Sequence, residues 1–215
     1  MAMMVASAAS AQFSAGIKSD VRFNSIQLNG ITEPLAPFQS PLIAPSIGFF
    51  GEYRFDDNIT LRSGVNYAKQ GLRFSESSSF NLFDIDFPIG VTTDLVMNTL
   101  EIPVTAHMSF GDNRLKPYIM AGGGVSRTLS TSLNPRINSI VDFNLPSVDI
   151  PVSSINSTQV YGLGGAGISY EMNGGKLFGE VTYQHSFESI KPDFLIDLDL
   201  KNKGFSVGIG YAKSF

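Results

Sequence analysis

The chain has 215 residues, 43% of them hydrophobic and only 16% charged, with 21 Gly, 17 Phe, 7 Tyr, no Cys and a formal net charge of −4. A soluble domain usually carries about 25% charged residues, so much of this surface must meet something other than water, and lipid is the obvious candidate. The absence of Cys excludes disulfides, two His leave zinc or thiol chemistry without candidates, and an acidic balance without a basic tract excludes a nucleic-acid partner.

In chain order, Met1–Ala11 reads as the tail of a signal peptide, with Ala9-Ser10-Ala11 as a cleavage site before Gln12. The folded domain is therefore expected over residues 12–215. No stretch reads as a membrane helix, which needs roughly 20 apolar residues. Of the longest uncharged stretches, Pro34–Gly51 holds four prolines and Ile150–Tyr170 is broken by Ser, Asn and Gly. A closed barrel is then the common way left to span a bilayer.

From Gln12 onward the dominant signal has a period of two. Phe13–Phe23 sets Phe13, Ala15, Ile17, Val21 and Phe23 outward against Ser14, Gly16, Lys18, Asp20 and Arg22. Pro45–Phe55 sets Ile47, Phe49, Tyr53 and Phe55 against Ser46, Gly48, Glu52 and Arg54. Ile59–Gly71 opposes Ile59, Leu61, Val65 and Tyr67 to Thr60, Arg62, Asn66 and Gln70. Leu100–Phe110 opposes Leu100, Ile102, Val104, Ala106, Met108 and Phe110 to Glu101, Thr105, His107 and Ser109. Pro117–Thr128 and Thr158–Met172 are Gly-rich strands, where Gly makes room in a narrow interior. Leu177–Phe187 opposes Leu177, Val181, Tyr183 and Phe187 to Glu180, Thr182, Gln184 and Ser186. Gly204–Phe215 places Phe205, Val207, Ile209, Tyr211, Lys213 and Phe215 on one face and small residues on the other.

These make eight strands. The connections Asp56–Asn58, Gly111–Lys116 and Asn173–Gly175 are short, whereas Asn24–Ala44, Leu72–Thr99, Leu129–Ser157 and Glu188–Lys203 are long. Short periplasmic turns alternating with long outer loops characterise bacterial barrels. A soluble sandwich alternates too, but its apolar face points to a shared core and it would not gather four long loops at one end. The expected fold is all-β: an eight-stranded antiparallel transmembrane up-and-down β-barrel, its strands extending into long extracellular loops. It would lie in the outer membrane of a Gram-negative bacterium with both termini periplasmic.

Leu100-Glu101-Ile102-Pro103-Val104, Pro117-Tyr118-Ile119 with its Gly run, Tyr161–Gly167 and the C-terminal Phe215 resemble the outer-membrane β-barrel domain family that includes PorT-like proteins, and more distantly the OmpA/OmpX barrels. The similarity covers nearly all of the chain after residue 11. It implies that Phe215 is read by the barrel-assembly machinery. It implies no catalytic residue. Some relatives support type IX protein secretion.

The inward set holds Lys18, Arg22, Arg54 and Arg62 against Asp20, Glu52, Glu101 and Glu180. In so narrow a barrel these charges are expected to pair as a structural plug rather than line an ion path. His107 and Ser109 have the His-x-Ser spacing of lipid A deacylases, but they face the lumen near the periplasmic end, whereas such an enzyme needs its site on the outer, lipid-facing rim. His185 is near that rim but has no Ser two residues on. The loops alternate apolar residues with Asp or Asn: Phe80, Leu82, Ile85 and Phe87 in the first, Val141 and Phe143 in the second, Phe194, Ile196 and Leu198 in the third. They read as strand continuing above the membrane, either as a cap or as a surface for a protein partner on the extracellular side. Asp193, Asp197 and Asp199 match no cation loop. The expected function is non-catalytic, without cofactor: a barrel in contact with outer-membrane lipid and lipopolysaccharide that stabilises the envelope or presents its loops. The alternatives are a PorT-like secretion accessory, a lipid A-modifying enzyme and a narrow pore.

Overall fold

The computed structural model describes residues 13–29, 39–82, 85–138, 143–144, 148–150, 158–187 and 199–215. They form β1 (Phe13–Asn29), β2 (Gln39–Arg54), β3 (Ile59–Leu82), β4 (Ile85–Ser109), β5 (Leu115–Asn138), β6 (Phe143–Asn144), β7 (Val148–Ile150), β8 (Thr158–Met172), β9 (Gly175–Ser186) and β10 (Asp199–Ser214). All but the short β6 and β7 pair in the order β4-β3-β2-β1-β10-β9-β8-β5, and pairing of β4 with β5 closes the ring. The result is a closed, eight-stranded antiparallel barrel, with β6 and β7 lying against the outer part of β5. Closure joins the first strand to the last, from Ser14↔Ser214 to Asn29↔Asp199, and leaves no sheet edge within the ring for lipid to meet.

Three short turns and the last residue gather at one end, the turn end. Asp56 Oδ1 accepts hydrogen bonds from the backbone N–H of Asn58 (2.8 Å) and Ile59 (2.7 Å), a side-chain mimic of a backbone turn. The hairpin is centred on Asp57, so Tyr53 faces Leu61 and Glu52 faces Arg62. At Asn173-Gly174, Met172 pairs with Gly175 and Glu171 with Lys176. Gly174 sits at φ +84°, the left-handed conformation that a two-residue hairpin turn requires and that Gly adopts without penalty.

The strands outrun the lengths expected from their alternation. Leu72–Thr99, expected as a long connection, is mostly the upper part of a β3–β4 hairpin paired from Lys69↔Asn98 to Leu82↔Ile85. β5 continues to Asn138, with a register shift against β4 between Asn98 and Thr99. One extra residue, Leu129, lies there, so the inward parity changes: Thr128 and Thr131 are both buried. A bulge exchanges the faces of a strand in this way. Of the loop positions singled out above, Phe80, Leu82, Ile85, Phe87 and Phe143 lie in strands. Val141, Phe194, Ile196 and Leu198, like residues 1–12, lie outside the described residues.

The two faces of the wall differ in kind. Outside lies an apolar band including Val21, Ile47, Val65, Val104, Val181, Val207 and Ile209, all exposed. Aromatic rings border it. Phe13, Tyr53, Phe55, Phe110, Tyr170, Tyr211 and Phe215 lie toward the turn end, and Phe23, Tyr67, Tyr183, Phe187 and Phe205 toward the loop end. Ser19 lies on this face too and donates to the Ser46 carbonyl (3.2 Å). An apolar belt between two aromatic girdles matches a bilayer's hydrocarbon and its two interfaces.

Val207→Arg should therefore cost about 2–4 kcal/mol when the barrel is unfolded from lipid vesicles with urea, whereas Asp57→Arg in an exposed turn should change stability by less than about 0.5 kcal/mol. Equal tolerance at the two positions would contradict the membrane-facing assignment.

Candidate functional site

Strand parity turns a second set of side chains inward, and eight strands leave only enough room for those side chains to fill. Bulk is accommodated by glycine on the facing strand. A Cβ built at Gly16 would lie 2.5 Å from Phe50 Cζ, one at Gly124 would lie 2.6 Å from the Tyr161 hydroxyl, and Gly167 and Gly210 leave similar space for Tyr118 and Phe178. Each of these glycines is the direct cross-strand partner of the ring it admits, so here glycine makes room for a large side chain from the neighbouring strand.

The charges form two groups. Arg62 on β3 is the centre of the first. Its Nε donates to Glu52 Oε1 (2.8 Å) and its Nη1 to Glu180 Oε2 (2.9 Å). Its guanidinium is held between the rings of Phe50 and Phe178, 4.5 and 4.3 Å from the two centroids, a cation–π arrangement worth most where water is excluded. Glu180 also accepts from the Tyr118 hydroxyl (2.9 Å) and from Lys18 (3.1 Å), which lies 3.4 Å from Asp20. The other oxygen of Glu52 meets Lys176 at 2.8 Å. In the second group Arg22 makes a two-pronged bond to Glu101, 2.7 and 2.8 Å, and Gln70 donates to the same carboxylate at 2.7 Å.

Lys18, Arg22, Arg62 and Lys176 are thus balanced by Asp20, Glu52, Glu101 and Glu180. Between the groups lies a cavity of about 40 Å³, lined by Arg22, Glu101, Tyr161 and Glu180 among others. That is room for a few water molecules and not for a continuous aqueous path. Buried charges in so confined a space are tolerated only when paired and hydrogen-bonded.

Of the eight charged residues singled out from the sequence, seven lie in these groups. Arg54 does not: it sits at the turn-end rim, its side chain 35% exposed, and pairs with Glu171 (3.3 Å). Two residues closer to the turn than its inward neighbour Glu52, it meets solvent instead of the lumen. Lys176, Gln70 and Tyr118 belong to the network and were missed as members, although strand parity points Tyr118 and Gln70 inward. Lys176 faces Glu171 in backbone register, yet its long side chain crosses to Glu52, and Glu171 is taken by Arg54 and Lys116. A wet rim pair of Glu171 with Lys176 is therefore not what forms.

His107 is 4% exposed. Its Nε2 is 2.9 Å from the Thr105 hydroxyl, and its ring lies 5.4 Å from that of Tyr118. The imidazole faces the closed lumen, where no bulk lipid reaches it. Near the loop end Arg73 makes a two-pronged contact with Asp94 (2.6 and 2.9 Å).

An antiparallel ring with an apolar, aromatic-girdled exterior and a self-filled, charge-balanced interior defines a membrane-spanning β-barrel. A family model described as "Outer membrane protein beta-barrel domain" matches residues 7–191, and the chain belongs to that family. The family places it in the outer membrane of a Gram-negative bacterium. Among solved structures it is similar to Neisserial surface protein A, at 14% identity and TM-score 0.51, over 94% of this chain and 97% of that one. It is also similar to the outer membrane protein OprG of Pseudomonas aeruginosa, at 13% identity and TM-score 0.50, over 95% and 96%. At such identities the likeness is one of fold. No curated protein matches the chain.

The Arg22–Glu101 pair allows a double-mutant test. Glu101→Gln should destabilise the barrel by about 3–5 kcal/mol, because Arg22 is left as an uncompensated buried charge, and Arg22→Met combined with Glu101→Leu should recover most of the loss. Urea unfolding in lipid vesicles measures both. Additive losses in the double variant would contradict a paired, dry site.

Proposed function

We propose that this barrel is non-catalytic and presents its loop end to a protein partner outside the cell. In this reading the short turns, with Phe13 and Phe215 beside them, are periplasmic. The observation that supports it most is the length of the β3–β4 hairpin. β2 pairs with β3 only as far as Gln39↔Phe74, while β3 runs on to Leu82. Beyond Phe74, β3 is paired with β4 alone among the described residues. Eight further residues of strand span about 26 Å, and in this reading their edge away from β4 is the row of backbone donors and acceptors to which another chain adds a strand. Acidic residues along these extensions would oppose self-association.

The rival readings have less support. A pore needs an open lumen, and this one is filled by paired charges and rings. A lipid A-modifying enzyme needs its nucleophile and base at the lipid-facing rim, and His107 is enclosed. A PorT-like role in type IX secretion is a narrower form of partner binding.

Deleting Ser79–Pro88 should leave a barrel that still shifts on gels when heated, as folded barrels do, but should abolish recovery of partner from cross-linked intact outer membranes. Undiminished recovery would contradict the proposal. Release of fatty acid from lipid A by the purified protein would contradict its non-catalytic part.

A further inference from the structure

The outer wall is not uniformly smooth. One row of outward positions runs Ser19, Ile209, Gly179, Ile168 across β1, β10, β9 and β8. Gly179 leaves a gap in it: a Cβ built there would meet nothing nearer than the Gly208 carbonyl at 3.8 Å. Gly164, further toward the loop end on β8, is similarly open, with nothing nearer than the Met120 carbonyl at 3.7 Å, but it does not line the groove at Gly179. The outward glycines at the turn-end and loop-end rims, Gly175 and Gly162, are covered. A Cβ at Gly175 would lie 2.8 Å from the Tyr211 hydroxyl, and one at Gly162 would lie 2.9 Å from the Phe187 ring. Tyr211 leans toward the turn end over Gly175 and so leaves Gly179 bare. The groove that results has a volume of about 560 Å³ and is walled by Ile17, Ile168, Tyr170, Leu177, Ile209 and Tyr211. Sites that hold a small ligand run from about 300 to 1,000 Å³. This one opens to hydrocarbon, so its occupant is an apolar chain.

Charge at the groove's end selects the headgroup. Four residues of β9 separate Gly179 from Gly175 at the turn-end rim, about 13 Å along the strand. Lys213 follows Tyr211 on the same face of β10, and Arg114 directly precedes Leu115, another groove residue. Both are exposed. They stand three strand spacings apart, roughly 14 Å, within reach of one phosphate from two long side chains. On this side of the rim, Arg114, Lys116, Lys176 and Lys213 face Asp112 and Glu171. Glu171 is engaged by Arg54 and Lys116, and Lys176 by Glu52. The acidic turn Asp56-Asp57 joins β2, which lines the groove through Ile47, to β3, and so lies on the opposite side of Lys213 from Arg114.

We propose that the groove is a lipid site: one acyl chain of an anionic glycerophospholipid from the leaflet at the turn end lies in the notch at Gly179, and its phosphate sits between Lys213 and Arg114. The site is independent of any partner at the loop end. It gives the barrel a bound lipid and a fixed contact with that leaflet.

Native mass spectrometry of the detergent-refolded barrel tests this with dioleoyl phosphatidylglycerol and dioleoyl phosphatidylcholine as probes. The wild type should retain one phosphatidylglycerol per barrel in preference to phosphatidylcholine. Gly179→Leu, which fills the notch without touching the lumen, should lose retention of both. Arg114→Glu with Lys213→Glu should keep phosphatidylcholine retention and lower the preference for phosphatidylglycerol by at least about fivefold per cation. The heat-induced gel shift reports folding of each variant, and the rim variant leaves the wall intact. Equal retention of the two lipids by the wild type, or unchanged retention by Gly179→Leu, would overturn the proposal. So would a wild-type dimer that Gly179→Leu dissolves, since the groove would then hold a second copy.

Discussion

A barrel of eight strands has a lumen only as wide as its own side chains, and every charge turned into it must find its opposite there. Much of this structure follows from that constraint. Arg62 reaches two carboxylates because Glu52 comes from the neighbouring β2 and Glu180 from β9 across the lumen. Phe50 and Phe178 fit on either side of it because the neighbouring strands carry glycine directly opposite them, Gly16 for Phe50 and Gly210 for Phe178. Charge balance and glycine placement are two aspects of one packing problem. Removing one member leaves either a buried unpaired charge or a void.

The exterior obeys the opposite rule. Hydrocarbon offers no hydrogen bonds, so a polar side chain there, such as Ser19, is satisfied by a neighbouring carbonyl. Most of the exposed band between the aromatic girdles is aliphatic, with Phe49 among it. Specificity on such a wall can come only from shape and from charge at its edges, and the bare Gly179 beneath a basic rim combines both. At the loop end the constraint relaxes. Beyond Phe74, β3 is paired with β4 alone among the described residues, and the proposed partner would add its strand there. The three zones divide the labour of a small envelope protein into a sealed interior, a lipid-matched wall and a projecting surface.

Most of the architecture was legible in the sequence, because a period of two with an apolar face is a local signal. The short Asp56–Asn58 connection between two alternating runs marked that hairpin, whose register follows from its centre at Asp57. Other features were not local. Arg54 shares the inward parity of Glu52 but lies too near the rim to be enclosed, and depth depends on strand tilt. Lys176 is placed beside Glu171 by the turn and beside Glu52 by the curvature of the wall, and only the closed ring decides between them. Phe50, Tyr118 and Phe178 stand at inward parity, but large rings look like lipid-facing residues until the opposing glycines are in place. The inserted Leu129 reverses the faces of β5, which no alternation pattern can anticipate from one strand.

The central claim is that the lumen is closed by its own paired charges. Current through planar bilayers containing the purified barrel tests it most directly. The account predicts a baseline indistinguishable from that of lipid alone, with no steady open level. A stable, ohmic conductance in the wild-type protein would contradict it, because a continuous aqueous path cannot coexist with the contacts that Arg62 and Arg22 make across the lumen.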